Sequence, residues 1–278
     1  IPFKYIPGYS KSGIPAIQIN NEVADDILNS IGSSRKIIQD KMNNNLKPES
    51  FKISDIKISA NVELKNIYSR AANVIGKIVS RNHKYRDEYI VIGAHFDHLG
   101  YGGAGSGSLK PDTNAIHNGA NDNASGTAGL LELAHKLQNN RQLLKRSVLL
   151  IGFDAEEKGL LGSKYFIQNP TVEKNDIVTM INMDMIGKMK DSIVVIGGVG
   201  TSPIFEKILD SLSMDSGLKF EFDQAGYGPS DHASFYSEDI PVLFFFTGDY
   251  DNNYHLPEDD WESINLKGER QILSVIHN

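Results

Sequence analysis

Four apolar runs in this sequence lead into residues that can bind a metal or carry a proton. YIVIGA is followed by His95-Phe96-Asp97, SVLLIGF by Asp154-Ala155-Glu156-Glu157, and IVTMINM by Asp184; PVLFFF leads through TGDYDNN to Tyr254-His255. A fifth segment, Gly119-Ala120-Asn121-Asp122-Asn123-Ala124-Ser125-Gly126, sets oxygen ligands among small residues that allow close backbone approach. Two imidazoles and three carboxylates suit two zinc ions sharing a bridging carboxylate. Each ion then also takes one His and one terminal acid and keeps a position for water. Imidazole moves the expectation from magnesium or calcium to zinc, with cobalt or manganese as substitutes. Glu156 and Glu157 are neighbours on a tight turn and point in different directions. One can ligate while the other faces a water as general base.

Taken singly, each residue has a plainer use. Asp97 before Leu99-Gly100 forms a turn, and Glu156-Glu157 suit a solvated helix N-terminus. Asn121-Asp122-Asn123 leads to an N-cap at Ser125 or Thr127, and Asp184 ends a strand before Gly187. Their joint occurrence after apolar runs favours chemistry. Of the eight histidines, His83 lies in a charged turn, His135 stands beside Lys136 on a helix, and His277 is at the terminus. His98 and His117, in a Gly-rich loop, are expected to be solvated at the border of the site. His95 and His255 differ, because each stands by an apolar stretch amid carboxylates. On a strand end, residues i and i+2 point the same way. The Asp97 carboxylate is therefore expected to accept the proton of the His95 nitrogen that does not bind metal, fixing its tautomer.

The elements that must position these residues are legible from periodicity. Val74–Val79, Tyr89–Ile92, Ser147–Phe153, Ile177–Met183, Ile193–Ile196 and Pro241–Phe246 read as strands. Thr127–Leu137, Leu160–Ile167, Pro203–Leu212 and Leu266–Ile276 read as helices. Buried strands alternating with helices predict an α/β fold, three layers α/β/α, with a mostly parallel mixed central sheet. In such sheets ligands gather beyond the carboxyl ends of the strands, where the acids and histidines fall. Before about Arg70 the pattern differs. Ile1–Ser12 reads as loop, Asn21–Ile31 and Ser34–Met42 as short helices, Asn43–Ser50 as a turn, and Phe51–Leu64 as a strand with a slip near Asp55. The expected division is thus an N-terminal segment, 1–70, and a catalytic domain, 71–278.

Composition narrows the function. In 278 residues, 23% are charged and 40% hydrophobic, the net charge is −7, and there is no cysteine. These are ordinary globular values. No apolar run approaches the ~20 residues of a membrane span. No Lys/Arg cluster marks a nucleic-acid footprint. The absence of cysteine removes disulfides, thiolate zinc sites and Cys nucleophiles together. A chain of this size needs no metal staple to fold, so a metal site here is expected to be functional. Beginning at Ile1 rather than Met, the chain is expected to be processed or trimmed.

Six blocks carry a resemblance: VIGAHFDHLG, NGANDNASGTAGLLELA, LLIGFDAEEKGLLGSKYF, INMDMIG, PSDHASF and YHLPEDD. In this order, from about Asn73 to the C-terminus, they resemble the zinc aminopeptidase family known as peptidase family M twenty-eight, with no HExxH motif competing. The resemblance implies a zinc-dependent exopeptidase-like fold and two zinc ions. It implies that His95 and Asp184 bind one ion, Glu157 and His255 the other, with Asp122 bridging. Glu156 is implied as general base, Asp97 as the partner of His95, and Tyr254 as a donor to the developing oxyanion. Ser230-Asp231-His232 is implied as a supporting block near substrate, and a cis or strained peptide is implied after Asp122. The block GIPAIQINNEVADDIL resembles the end of a protease-associated domain.

The expected activity is hydrolysis of N-terminal residues from peptides with a free N-terminus, by a secreted or periplasmic enzyme. A single-zinc glutaminyl cyclase is the nearest rival. Such cyclases tend to place Trp before the last His, where this chain has Tyr254 and carries its one Trp at 261. A carboxypeptidase of the same superfamily would need basic residues for a substrate carboxylate, and Lys/Arg are sparse near the site blocks. A non-catalytic binding module predicts loss of a ligand or of the base, and none is missing.

Overall fold

Ser147–Phe153 is buried at every position, as a strand covered on both faces requires. It is the third of seven strands in the computed structural model, which describes residues 19–54, 57, 59, 69–247 and 252–278. The strands are β1 (Val74–Ile78), β2 (Tyr89–His95), β3 (Ser147–Phe153), β4 (Ile177–Met183), β5 (Ile193–Gly197), β6 (Lys219–Phe222) and β7 (Val242–Phe246). The α-helices are α1 (Asn21–Asn29), α2 (Arg35–Asn45), α3 (Gly126–Asn139), α4 (Leu161–Gln168), α5 (Phe205–Ser216), α6 (His232–Tyr236) and α7 (Leu266–His277). One sheet holds all seven strands in the order β1-β3-β2-β4-β7-β5-β6. β3, β2, β4 and β7 are mutually parallel. β1 runs antiparallel to β3, and β5 antiparallel to β7 with β6 parallel beside it.

Alternate residues of each central strand feed opposite cores. Ile92, Ala94, Val148 and Leu150 pack with Leu133 and Leu137 of α3, Leu209 of α5 and Ile272 of α7. Val91, Leu149, Ile151 and Phe153 pack with Phe166 and Ile167 of α4 and Phe235 of α6. The Phe235 ring contacts Phe153 edge-on at 6.0 Å and stacks on Phe166 at 5.7 Å between centroids. The result is the three-layer α/β/α arrangement expected from the sequence. Gly93 in β2 is required by this packing. A Cβ there would lie 2.5 Å from the Phe153 ring and 3.0 Å from Met180 Cε.

A separate compact unit lies within residues 6–69. There, Asn20 and Ser34 cap α1 and α2 by accepting backbone N–H bonds. Arg35 forks onto the Asp25 carboxylate at 2.6 and 2.7 Å. Neither helix has a buried residue.

Several expected boundaries move. β2 continues past Ile92, so that His95 is itself its last residue. β6 and α6 were not anticipated: KFEF is a four-residue strand, at one edge of the sheet, with no fully buried residue, and α6 has only five residues. Phe51–Ser54 has no regular structure, and most of the rest of the strand expected over Phe51–Leu64 lies outside the described residues, as does the opening loop. Among the described residues, no helix is long and apolar enough to cross a membrane.

Candidate metal centre

The four parallel strands open their carboxyl ends on one rim, and the residues that follow them meet there. His95 ends β2. Glu156 and Glu157 follow β3 after Ala155 at φ +57, and Asp184 follows β4 directly, with Met185 at φ +53 next. His255, beyond β7, itself has φ +55. A side chain in the left-handed region costs ~1–2 kcal/mol. That cost is borne at two strand ends and at His255 itself, each beside or at a chemically active residue, a clustering typical of functional sites.

Asp122 lies in the wide turn Ala120–Ser125 that leads into α3, and the Asp122–Asn123 peptide is cis. The turn is stitched to the end of β4. Asn123 Oδ1 accepts the N–H groups of Gly126 (3.0 Å) and Met185 (3.2 Å), and its Nδ2 donates to the Met183 carbonyl at 3.1 Å. Asn121 Oδ1 accepts the Gly187 N–H at 2.9 Å. From the other side, Asp259 Oδ2 accepts the N–H groups of Asn121 (2.9 Å) and Asp122 (3.1 Å), while its Oδ1 accepts from Lys188 Nζ at 2.9 Å. Asp259 and Lys188 are both buried. The Asp122 backbone is therefore anchored by a desolvated ion pair.

The two carboxylate oxygens of Asp122 face different histidines. His95 Nε2 is 3.4 Å from Asp122 Oδ1 and 3.4 Å from Asp184 Oδ1. His255 Nε2 is 3.2 Å from Asp122 Oδ2 and 3.2 Å from Glu157 Oε2. Glu156 Oε2 stands 4.0 Å from His95 Nε2. His255 is braced by its neighbour loop: its Nδ1 lies 3.0 Å from the Gly107 carbonyl oxygen, and its own carbonyl accepts the Leu109 N–H at 3.1 Å.

Asp97 acts differently from the sequence expectation. Its backbone carbonyl, not its carboxylate, is the near partner of His95 Nδ1, at 3.1 Å against 3.7 Å to Oδ1. The carboxylate instead accepts the N–H groups of Glu156 (2.9 Å) and Glu157 (3.2 Å). It thus orders the turn that carries both acids. Two backbone donors close to Asp97 take its carboxylate at hydrogen-bond distance, while that carboxylate, 3.7 Å from His95 Nδ1, still adds to the negative charge that favours the imidazolium.

His98 was expected to be solvated, and it is not. Its Nδ1 lies 2.8 Å from Glu157 Oε1, its Nε2 is buried without a hydrogen-bond partner, and its ring meets His255 edge-on at 5.8 Å. His117 is also buried, but as a loop staple between Ser108 Oγ (2.7 Å) and the Ala115 carbonyl (3.0 Å). The sequence signal for His98 was its place in HFDH, one turn from a candidate ligand. Nothing there separated it from an ordinary loop histidine.

Burial and charge oppose each other throughout this cluster. Burial works against charging His95, yet Asp184, Asp122 and Asp97 hold its imidazolium well above the usual range. Burial likewise opposes His255, and Asp122 and Glu157 raise it to about 10. Asp122 and Glu157 remain below ordinary carboxylate values despite burial, because histidines bond to them. Glu156 goes the other way: burial pushes it up to about 9, with His95 opposing and Asp184, Asp231 and Glu157 adding repulsion. Burial and the surrounding carboxylates hold the Tyr254 phenol well above its usual value, so it keeps its proton.

These residues line a cavity of about 210 Å³. Its lining combines the acids and histidines with the apolar Met185, Pro229, Phe244 and Phe246, and the Tyr254 ring stacks on His255 at 3.8 Å between centroids. In β7 the alternation sends Phe244 and Phe246 to the cavity and Phe245 to the core. The block Ser230-Asp231-His232 backs the wall rather than lining it. Ser230 Oγ accepts from Asn182 Nδ2 at 2.7 Å, and the His232 ring stacks on Phe244 at 4.3 Å. Asp231 is fully buried, and burial lifts it to about 7; burial lowers His232 to about 4, leaving it a neutral aromatic support.

The donor set fits zinc. A tetrahedral ion with bonds of ~2.0–2.1 Å holds its ligand atoms about 3.3 Å apart. The contacts of His95 and His255 with Asp122, Asp184 and Glu157, at 3.2–3.4 Å, match that edge and exceed the ~2.7–2.9 Å of a charge-assisted N–H···O bond. His95, Asp122 and Asp184 offer ligand atoms all within 4.8 Å of one another, and so do His98, Asp122 and Glu157. Asp184 Oδ1 is buried with no hydrogen-bond partner of good geometry.

Leupeptin-inactivating enzyme 1 of Streptomyces exfoliatus is 36% identical over 131 residues, 47% of this chain and 29% of its own length. Leucine aminopeptidase 1 of Leptosphaeria maculans is 28% identical over 225 residues, 74% of this chain and 55% of its own. The crystal structure of a zinc aminopeptidase from Bacillus subtilis superposes with a TM-score of 0.59 at 26% identity, covering 74% of this chain and 48% of that one. The chain thus spans about half the length, or less, of these relatives. The model of Peptidase family M28 matches residues 73–278, and the chain belongs to that family.

Proposed function

We propose that this chain is a zinc-dependent aminopeptidase, releasing apolar N-terminal residues from peptides at a two-ion site. The observation that carries the reading is the spacing of ligand atoms: two imidazoles meet three carboxylates at 3.2–3.4 Å, with one oxygen of Asp122 toward each imidazole. His95, Asp122 and Asp184 would hold one ion; Asp122, Glu157 and His255 the other. Zinc bound there supplies Lewis-acid chemistry, acidifying water to a pKa near ~7 and polarising a peptide carbonyl.

The chain's own residues do the rest. Glu156, next to the ligand Glu157 but turned toward His95, accepts the proton of the attacking water and returns it to the leaving amine nitrogen. Positive charge bound beside Glu156 offsets the burial and carboxylate repulsion that otherwise keep it protonated. Tyr254 retains its O–H and donates to the oxygen on which negative charge develops. Asp97 holds the turn that aims Glu156 and Glu157 apart. The apolar wall of Phe244, Phe246 and Met185 excludes water and takes the side chain of the first residue. The carboxylate wall suits a free α-ammonium group. A cavity of about 210 Å³ is smaller than the ~300–1,000 Å³ of drug-sized pockets.

The test is Glu156→Gln. The variant keeps the size and position of the carboxyl and should keep its metal, but lose turnover by ~10²–10⁴-fold, the usual worth of general acid–base catalysis. A folded, metal-loaded variant with near-full turnover refutes the role.

A further inference from the structure

We propose that His98 is a positioning residue that fixes Glu157 as a one-oxygen ligand, and that it does so without binding metal itself. The inference rests on the two-ion reading above. It starts from a difference in distance. His98 Nδ1 is 2.8 Å from Glu157 Oε1, a charge-assisted hydrogen-bond length, whereas His255 Nε2 is 3.2 Å from Glu157 Oε2. The first is too short for the edge of a tetrahedral zinc site, about 3.3 Å, and the second matches it. The two oxygens of one carboxylate therefore have separate duties: Oε1 is held by an N–H donor, and Oε2 is left to face His255. Glu157 is held at a third point too, because its backbone N–H donates to Asp97 Oδ2 at 3.2 Å.

The imidazole is itself confined. A Cβ on Gly119 would lie 2.7 Å from His98 Cγ and Cδ2, so the ring rests directly against the turn that carries Asp122. On its other side it meets the His255 ring edge-on. His98 is largely buried, and its Nδ1–H has the Glu157 carboxylate as acceptor, which selects that tautomer over the alternative. An outer partner of this kind holds a ligand in one orientation, and its loss typically weakens metal binding ~10–100-fold.

The experiment is a zinc titration of metal-free protein by chelator competition, read together with the visible spectrum after cobalt substitution. The parent and two variants, His98→Leu and His98→Asn, are compared, each first checked for folding by circular dichroism. Leu removes the donor and keeps apolar bulk; Asn places an N–H donor where Nδ1 stands. The parent should bind two ions. His98→Leu should bind one of them ~10–100-fold more weakly and the other unchanged, with a change in one part of the cobalt spectrum only. His98→Asn should recover most of the loss. Unchanged affinity for both ions in a folded His98→Leu variant overturns the proposal and leaves the two-ion reading intact. Complete loss of one ion in both variants makes His98 a ligand and also overturns it. A parent that binds fewer than two ions defeats the underlying reading instead.

Discussion

Replacing Asp259 by Asn removes one charge from a buried pair and should be among the costliest conservative changes in the molecule. Asp259 is 1% exposed and Lys188 is 9% exposed, with Nζ to Oδ1 at 2.9 Å. The other oxygen takes two backbone N–H groups of the Asp122 turn. An asparagine offers one acceptor oxygen and one N–H₂ group. It must therefore set a donor against either Lys188 or the two backbone donors, and in both cases the Asp259 charge that faces the lysine is lost. Breaking a buried pair by removing one partner costs ~3–5 kcal/mol. At ~2–4 °C per kcal/mol for a domain of this size, the melting temperature should fall by ~6–20 °C. Lys188→Met in the same background removes the charge that faces Asp259, and because the two side chains are in contact the two changes should not add. Urea unfolding of the parent, both single variants and the double variant measures the coupling. A loss below ~1 kcal/mol for Asp259→Asn, or strictly additive costs in the double variant, refutes the reasoning.

Three further changes test other parts of the structure. Phe246→Ala opens the apolar wall and should lower kcat/KM for leucyl relative to alanyl substrates by ~10-fold or more, as loss of a hydrophobic contact of this size implies; an unchanged ratio removes Phe246 from the specificity wall. Gly93→Ala forces a methyl to 2.5 Å from the Phe153 ring and should cost ~1–3 kcal/mol, relieved in part by Phe153→Leu; denaturant midpoints decide it. Burial raises Glu269 on α7 to about 7 in the folded chain, against 4.5 when free. The folded state thus holds a proton that the unfolded state has lost between these values. The contribution is full below pH ~4.5 and vanishes as pH rises through ~7. Glu269→Gln should therefore gain stability relative to the parent between pH 5 and 8, by ~1–2 kcal/mol once partial solvent screening is allowed for. Parallel melting curves across that range contradict this.

Much of the site was legible because its chemistry sits at strand ends, where an apolar run gives way abruptly to acids. His95, Asp184 and the Glu156-Glu157 pair announce themselves in this way. Asp122 is visible through the small residues that surround it. Other features were not legible, for related reasons. The partner of the Asp97 carboxylate depends on where two backbone N–H groups of another loop lie, and no periodicity encodes that. His98 is buried only because Gly119 and His255, distant in sequence, close over it. The Asp259–Lys188 pair joins residues 71 apart, and neither carries a local signal. The short elements β6 and α6 were missed because four or five residues hold less than two periods of either pattern.

Metal content per chain bears most directly on the whole reading, when measured alongside hydrolysis of aminoacyl chromogenic substrates with and without a chelator. Two zinc ions per chain are expected, with release of apolar N-terminal residues that stops on chelation and returns when zinc is restored. One ion or none, or release that persists through chelation, contradicts the two-ion aminopeptidase.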